Sequence, residues 1–93
     1  MYNYNTLISS FLQYKRSIGY KYKTDEIILK NIANFLIDNN VTEITRDITE
    51  RFARINENIN QNTLARNMNV FREFNKYLIL NNIDCYQISL KLY

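Results

Sequence analysis

Across 93 residues this chain has one glycine and no proline. Glycine supplies the positive-φ positions that tight hairpins need, and proline breaks helix interiors. A chain almost without either has few means of making the many sharp turns of a sandwich or barrel. Helices joined by a few connections are therefore the expectation. A hydrophobic fraction of 46%, with eight Tyr and five Phe, argues for a packed core over disorder. One domain over 1–93 is expected, with 83–93 as a tail or linker. A domain of this size buries roughly 60–65% of its unfolded surface.

The single glycine stands where the first apolar repeat breaks. Leu7, Phe11, Tyr14 and Ile18 recur at helical spacing with Ile8 beside them, which predicts a helix over 5–18. Gly19 ends it, and Tyr20-Lys21-Tyr22-Lys23-Thr24 forms a short basic and aromatic connection. Thr24 is placed to cap a second helix over 25–38, with Asp25 and Glu26 at its positive end. The apolar face of that helix is Ile28, Leu29, Ile32, Phe35 and Leu36, and Asn39-Asn40 can stop it.

A third helix starts after Thr45, with Ile48, Phe52 and Ile55 as its stripe. Asp47/Arg51 and Glu50/Arg54 are spaced to pair on its exposed side. The Asn-rich stretch 56–62 reads as a polar loop. A fourth helix over 63–80 carries Leu64, Met68, Phe71, Phe74 and Leu78 inward, with Val70 and Tyr77 on its flank and Asn81-Asn82 as its stop. In the tail, Ile88, Leu90 and Leu92 alternate, which suits an extended arm, a fifth helix or a linker.

The net charge of +3 is unevenly spread: +3 over 1–37, −2 over 38–57 and +2 over 58–93. There is no histidine and one cysteine, so no internal disulfide and no usual set of metal ligands are expected. Without histidine the usual acid-base partner of a nucleophile is missing, and a single glycine rules out a glycine-rich phosphate loop. The expectation is a chain with no catalytic activity, no metal and no cofactor. Cys85 lies among apolar residues and reads as packed. No stretch reaches the roughly 18 apolar residues of a membrane span, and no signal-peptide core is present, so the chain reads as cytoplasmic and away from membranes.

Binding chemistry remains. Lys30 and Asn34 lie one turn apart, opposite the apolar stripe of the second helix. Asn can read adenine bidentately and Lys can reach guanine acceptors. Asn69, Arg72 and Lys76 share the polar side of the fourth helix, with Arg66 at its edge. Lys21, Lys23 and the Thr24 hydroxyl suit phosphate oxygens.

The order of these elements resembles a known family. The run Phe11-Leu12-Gln13-Tyr14-Lys15-Arg16-Ser17-Ile18-Gly19-Tyr20, then Thr24, Ile28, Ile32, Phe35 and Leu36, is similar to the first half of the core-binding domain of tyrosine recombinases, the phage-type integrases. Ile44-Thr45-Arg46-Asp47-Ile48, then Asn62-Thr63-Leu64-Ala65-Arg66 and Phe71-Arg72-Glu73-Phe74 with Tyr77 and Leu78, resembles the second half. The resemblance covers about 5–83. It implies an all-α fold, a small four-helix SAM-like orthogonal bundle with a possible short fifth C-terminal element, whose second and fourth helices face the major groove of double-stranded DNA. Carried over by position, Lys23, Thr24, Lys30 and Asn34 serve the second helix, and Thr63, Arg66, Asn69 and Arg72 the fourth.

The catalytic domain of that family, with its arginines, histidines and nucleophilic tyrosine, is absent from these 93 residues, as is the proline that often follows the fourth helix. The expectation is a noncatalytic DNA-binding domain, monomeric alone and able to assemble on DNA, whose catalytic domain is fused or separate. The rival reading is a helical protein-interaction module, a stand-alone regulator or inhibitor, motivated by the apolar tail at Ile88, Leu90 and Leu92.

Overall fold

The computed structural model describes residues 3–21, 23–55 and 60–88. The fold is all-α, with four helices among the described residues: α1 (Tyr4–Ser17), α2 (Lys23–Asp38), α3 (Arg46–Ile55) and α4 (Gln61–Leu80). Among the described residues there is no strand, only an isolated parallel bridge between Ile44 and Cys85. The chain divides into two compact units, Met1–Thr42 and Glu43–Tyr93. No described helix is long and apolar enough to cross a membrane.

The first unit is a helical hairpin. The Asn3 side chain caps α1 by accepting from the Thr6 amide at 3.2 Å. At the other end Gly19 takes φ 103°, and the amides of Gly19 and Tyr20 donate to the carbonyls of Arg16 and Lys15. That is the Schellman arrangement, which satisfies the last carbonyls of a helix through a left-handed residue. α2 ends in the same way. Asn40 adopts φ 52°, and the Asn40 and Val41 amides return to Ile37 and Leu36.

The buried edge of α1 differs from the expected one. Tyr4, Ile8, Phe11 and Leu12 are buried, Leu7 is half-buried, and Tyr14 and Ile18 are exposed. Apolar residues occupy a wide arc of this helix, so its sequence permits more than one inward face. The Tyr4 hydroxyl selects among them by donating to the Val41 carbonyl at 2.9 Å, which ties the start of α1 to the chain just past α2. On α2 the buried residues are Leu29, Ile32, Ala33 and Leu36, with Ile28 and Phe35 half-buried.

In the second unit Thr45 caps α3, its hydroxyl oxygen accepting from the Ile48 amide at 3.4 Å. Thr49, Phe52 and Ala53 face inward. Ile55, expected in the stripe, is 66% exposed at the helix end. Thr49 tolerates burial because its hydroxyl donates to the Arg46 carbonyl at 2.8 Å. The predicted Asp47–Arg51 pair forms at 3.2 Å, whereas Glu50 pairs backward with Arg46 at 2.9 Å instead of forward with Arg54.

α4 begins earlier than expected, since Asn60 caps it by accepting from the Asn62 amide at 2.7 Å. Residues 61–62 of the predicted polar loop are therefore helical, and 56–59 lie outside the described residues. The α4 stripe holds at Met68, Phe71, Phe74 and Leu78, with Leu64 half-buried. Phe71 meets Phe52 edge-to-face at 5.3 Å between ring centroids. Asn82 repeats the left-handed stop at φ 62°, with the Asn82 and Ile83 amides donating to Ile79 and Leu78.

Beyond α4 the chain is extended over 83–88, not helical. The Tyr86 amide donates to the Ile44 carbonyl at 2.9 Å, and Ile88 is buried. This overturns the exposed apolar arm at Ile88, and Leu90 and Leu92 lie outside the described residues.

Candidate nucleic-acid interface

The first unit presents its candidate residues on the turn and on α2. Lys21, Lys23, Thr24, Lys30 and Asn34 are all exposed. Thr24 was expected to cap α2, but it is the second residue of the helix, because α2 starts at Lys23. The preceding position, Tyr22, lies outside the described residues.

Arg16 sets the turn. Its Nε donates to the Lys21 carbonyl at 3.3 Å and its Nη2 to Glu26 Oε1 at 3.2 Å, so one guanidinium joins the end of α1, the connection and the first turn of α2. Glu26 also lies 4.0 Å from Lys30 Nζ. One half-buried carboxylate thus serves two cations, and this trio keeps a formal charge of +1. Lys15 sits over two rings, 5.7 Å from the Phe11 centroid and 5.0 Å from that of Tyr20. Tyr20 therefore stacks against a lysine on the protein itself.

The exposed residues of α2 from Lys23 to Asn34 are Lys23, Thr24, Ile27, Lys30, Asn31 and Asn34. None is acidic, and the acids of this stretch, Asp25 and Glu26, are half-buried. The second unit repeats the pattern on α4. From Gln61 to Lys76 the exposed residues are Gln61, Asn62, Thr63, Arg66, Asn69 and Lys76, while Glu73 is half-buried. α3 differs, because its Asp47 and Glu50 are engaged with its own Arg51 and Arg46.

Arg72 is half-buried, and its Nη2 donates to Asn69 Oδ1. Reading adenine takes both ends of an Asn amide. In this arrangement the acceptor end of Asn69 is occupied, so Asn69 and Arg72 act as one unit. The side chain of Asn34 makes no hydrogen bond among the described residues. The two candidate sets belong to different units: Lys21, Lys23, Thr24, Lys30 and Asn34 to the first, and Thr63, Arg66, Asn69, Arg72 and Lys76 to the second.

Sequence reasoning gave no site role to Arg16, Glu26 or Ile27. The Arg16–Glu26 contact spans ten residues across a turn, and no helical spacing signals it. Ile27 sits on a helix with many apolar residues, yet it is 62% exposed. Cys85, expected to be packed, is half-buried. Burial, with the Glu43 carboxylate adding to it, pushes its thiol from 9.0 up to about 12. Among the described residues no three His, Cys, Asp or Glu side chains come together to hold a metal ion.

No family model, curated protein or solved structure matches the chain.

Proposed function

We propose that this chain is a noncatalytic duplex-DNA-binding domain of the kind found in tyrosine recombinases, holding DNA through the exposed sides of α2 and α4. The observation that carries the reading is the make-up of those two surfaces. From Lys23 to Asn34 on α2 and from Gln61 to Lys76 on α4, each helix shows bases and amides to solvent and keeps its carboxylates half-buried, while Asp38, at the end of α2, is exposed beyond that stretch. Lysine and arginine neutralise phosphates, and asparagine is suited to base edges in the major groove. The sequence resemblance over 5–83 selects the same two helices.

The test is a titration of mixed-sequence duplex DNA, read by fluorescence anisotropy between about 50 and 200 mM salt. Neutralising about 4–6 phosphates gives a slope of log K against log salt of about −4 to −5. A flat salt response, or no binding at the low end, removes the proposal.

A further inference from the structure

Within the first unit, the exposed side of α2 carries Lys23, Ile27, Lys30, Asn34 and Ile37 at successive spacings of four, three, four and three. Such spacing aligns side chains along one narrow strip of a helix. Ile27 is 62% exposed and lies between Lys23 and Lys30, and Ile37 is 43% exposed at the far end. The core of this helix is already supplied by Leu29, Ile32, Ala33 and Leu36. A large apolar side chain in the middle of a basic and amide strip has no role in that core, so its use lies with whatever the strip meets.

We propose that Ile27 is a specificity-determining residue that packs against the C5-methyl group of thymine in the major groove, so that the α2 strip prefers A·T-containing duplex. The inference rests on the DNA-binding reading above and names what that surface selects. The thymine methyl is the one apolar feature among the base edges of that groove, and apolar side chains recognise it by contact. Asn34 lies two turns further along, with both ends of its amide available, which suits it to the adenine of a nearby pair. Lys23 and Lys30 flank Ile27 and supply positive charge on either side, which holds the strip close to the phosphates. Charge complementarity therefore favours duplex DNA as the occupant of this strip over an apolar protein surface.

The experiment compares two duplexes of one mixed sequence, the second with every thymine replaced by deoxyuridine. This removes the methyl groups and keeps every hydrogen-bonding atom. The wild-type chain is expected to bind the thymine duplex about fourfold more tightly for each methyl contacted. Ile27→Ala, an exposed substitution that leaves the core intact, is expected to bind both duplexes equally and to keep the salt slope of the wild type. Equal wild-type affinity for the two duplexes overturns the assignment while leaving DNA binding in place. So does Ile27→Ala retaining the full preference. Failure of the wild type to bind either duplex overturns the DNA-binding reading and this inference together. A dimer of the wild type that disappears in Ile27→Ala, with no thymine preference, makes the strip a contact between copies and also overturns it.

Discussion

The side-chain amide of Asn75 donates to the backbone carbonyl of Tyr86 across 3.0 Å, and Asn75 is fully buried in making that bond. The Tyr86 amide in turn reaches the Ile44 carbonyl, so Asn75 holds the extended segment after α4 at the register where Cys85 bridges Ile44. Among the described residues the other end of the amide, Oδ1, has no hydrogen-bond partner. A buried polar residue kept with one end unsatisfied must be justified by the end that bonds. Asn75→Ala leaves the half-buried Tyr86 carbonyl with only the weak Cys85 thiol donor at 3.6 Å, and losing a hydrogen bond of this kind costs about 0.5–1.5 kcal/mol. Urea denaturation should show that loss. Asn75→Asp should lose more, because it sets an acceptor against an acceptor in a buried place. An Ala variant as stable as wild type would mean that the bond does not hold the tail.

Gly19 is the next position where one atom matters. A Cβ built there meets nothing within 4 Å, so crowding is not the obstacle. The obstacle is φ 103°, a conformation in which an L-residue is strained by about 1–2 kcal/mol. Gly19→Ala should lower the melting temperature by several degrees, since about 1 kcal/mol moves a domain of this size by about 4–8 °C. Gly19→Asn should lose less, because Asn holds the equivalent position at Asn40 and Asn82. A thermal melt of Gly19→Ala that matches wild type would refute this account of the turn.

These stops were legible in the sequence because they are local. Gly19, Asn39-Asn40 and Asn81-Asn82 each end a helix through bonds reaching back only a few residues. The α4 stripe was legible for a related reason, since Met68, Phe71, Phe74 and Leu78 admit one inward face. α1 was not, because its apolar residues span an arc too wide to choose between Tyr14 and Tyr4. The choice depends on Val41, thirty-seven residues from Tyr4. The burial of Asn75 was hidden for the same reason, as its partner belongs to the tail. On the candidate interface the exposure of Lys30, Asn34, Asn69 and Lys76 was readable from helical spacing, whereas the exposure of Ile27 and the half-burial of Arg72 were not. The hydrogen bond that joins Asn69 to Arg72, and the sharing of Glu26 between Arg16 and Lys30, depend on side-chain conformations that spacing does not specify.

Cys85 gives a prediction in pH. Its thiol is pushed up to about 12 from 9.0, first by burial and then by the Glu43 carboxylate, so the folded chain keeps a proton that the unfolded chain releases above pH 9. The folded state then binds more protons than the unfolded state between pH 9 and about 12, and stability falls as pH rises through that window. Below pH 9 this group contributes no slope. Tyrosines and lysines also titrate at alkaline pH, so the informative quantity is the difference between wild type and Cys85→Ala, whose alkaline decline should be shallower. At pH 8 the folded thiol is ionised less than a free one, and its alkylation should be slower until urea is added. Equal alkylation rates in native and unfolded protein would refute the packed assignment.

Lys30 and Arg72 offer the most direct separation of binding from folding. Lys30 Nζ is 4.0 Å from Glu26, and its side chain is 67% exposed. An ion pair of that kind contributes about 0–1 kcal/mol. Glu26 keeps its shorter contact to Arg16 when Lys30 is removed. Arg72 donates to Asn69 at the surface of α4, and its truncation leaves the Met68, Phe71 and Phe74 side untouched. The double variant Lys30→Ala, Arg72→Ala should therefore melt near the wild-type temperature. Its duplex affinity at low salt should fall, and each lost phosphate contact should reduce the salt slope by about 1. Asn69→Ala alone frees Arg72 from its partner and should change sequence preference more than overall affinity, since base contacts specify while phosphate contacts position. Gel shifts at low salt read both effects. Unchanged binding by the double variant would remove these two helices as the DNA contact, and a large loss of melting temperature would show that the substitutions act through folding instead.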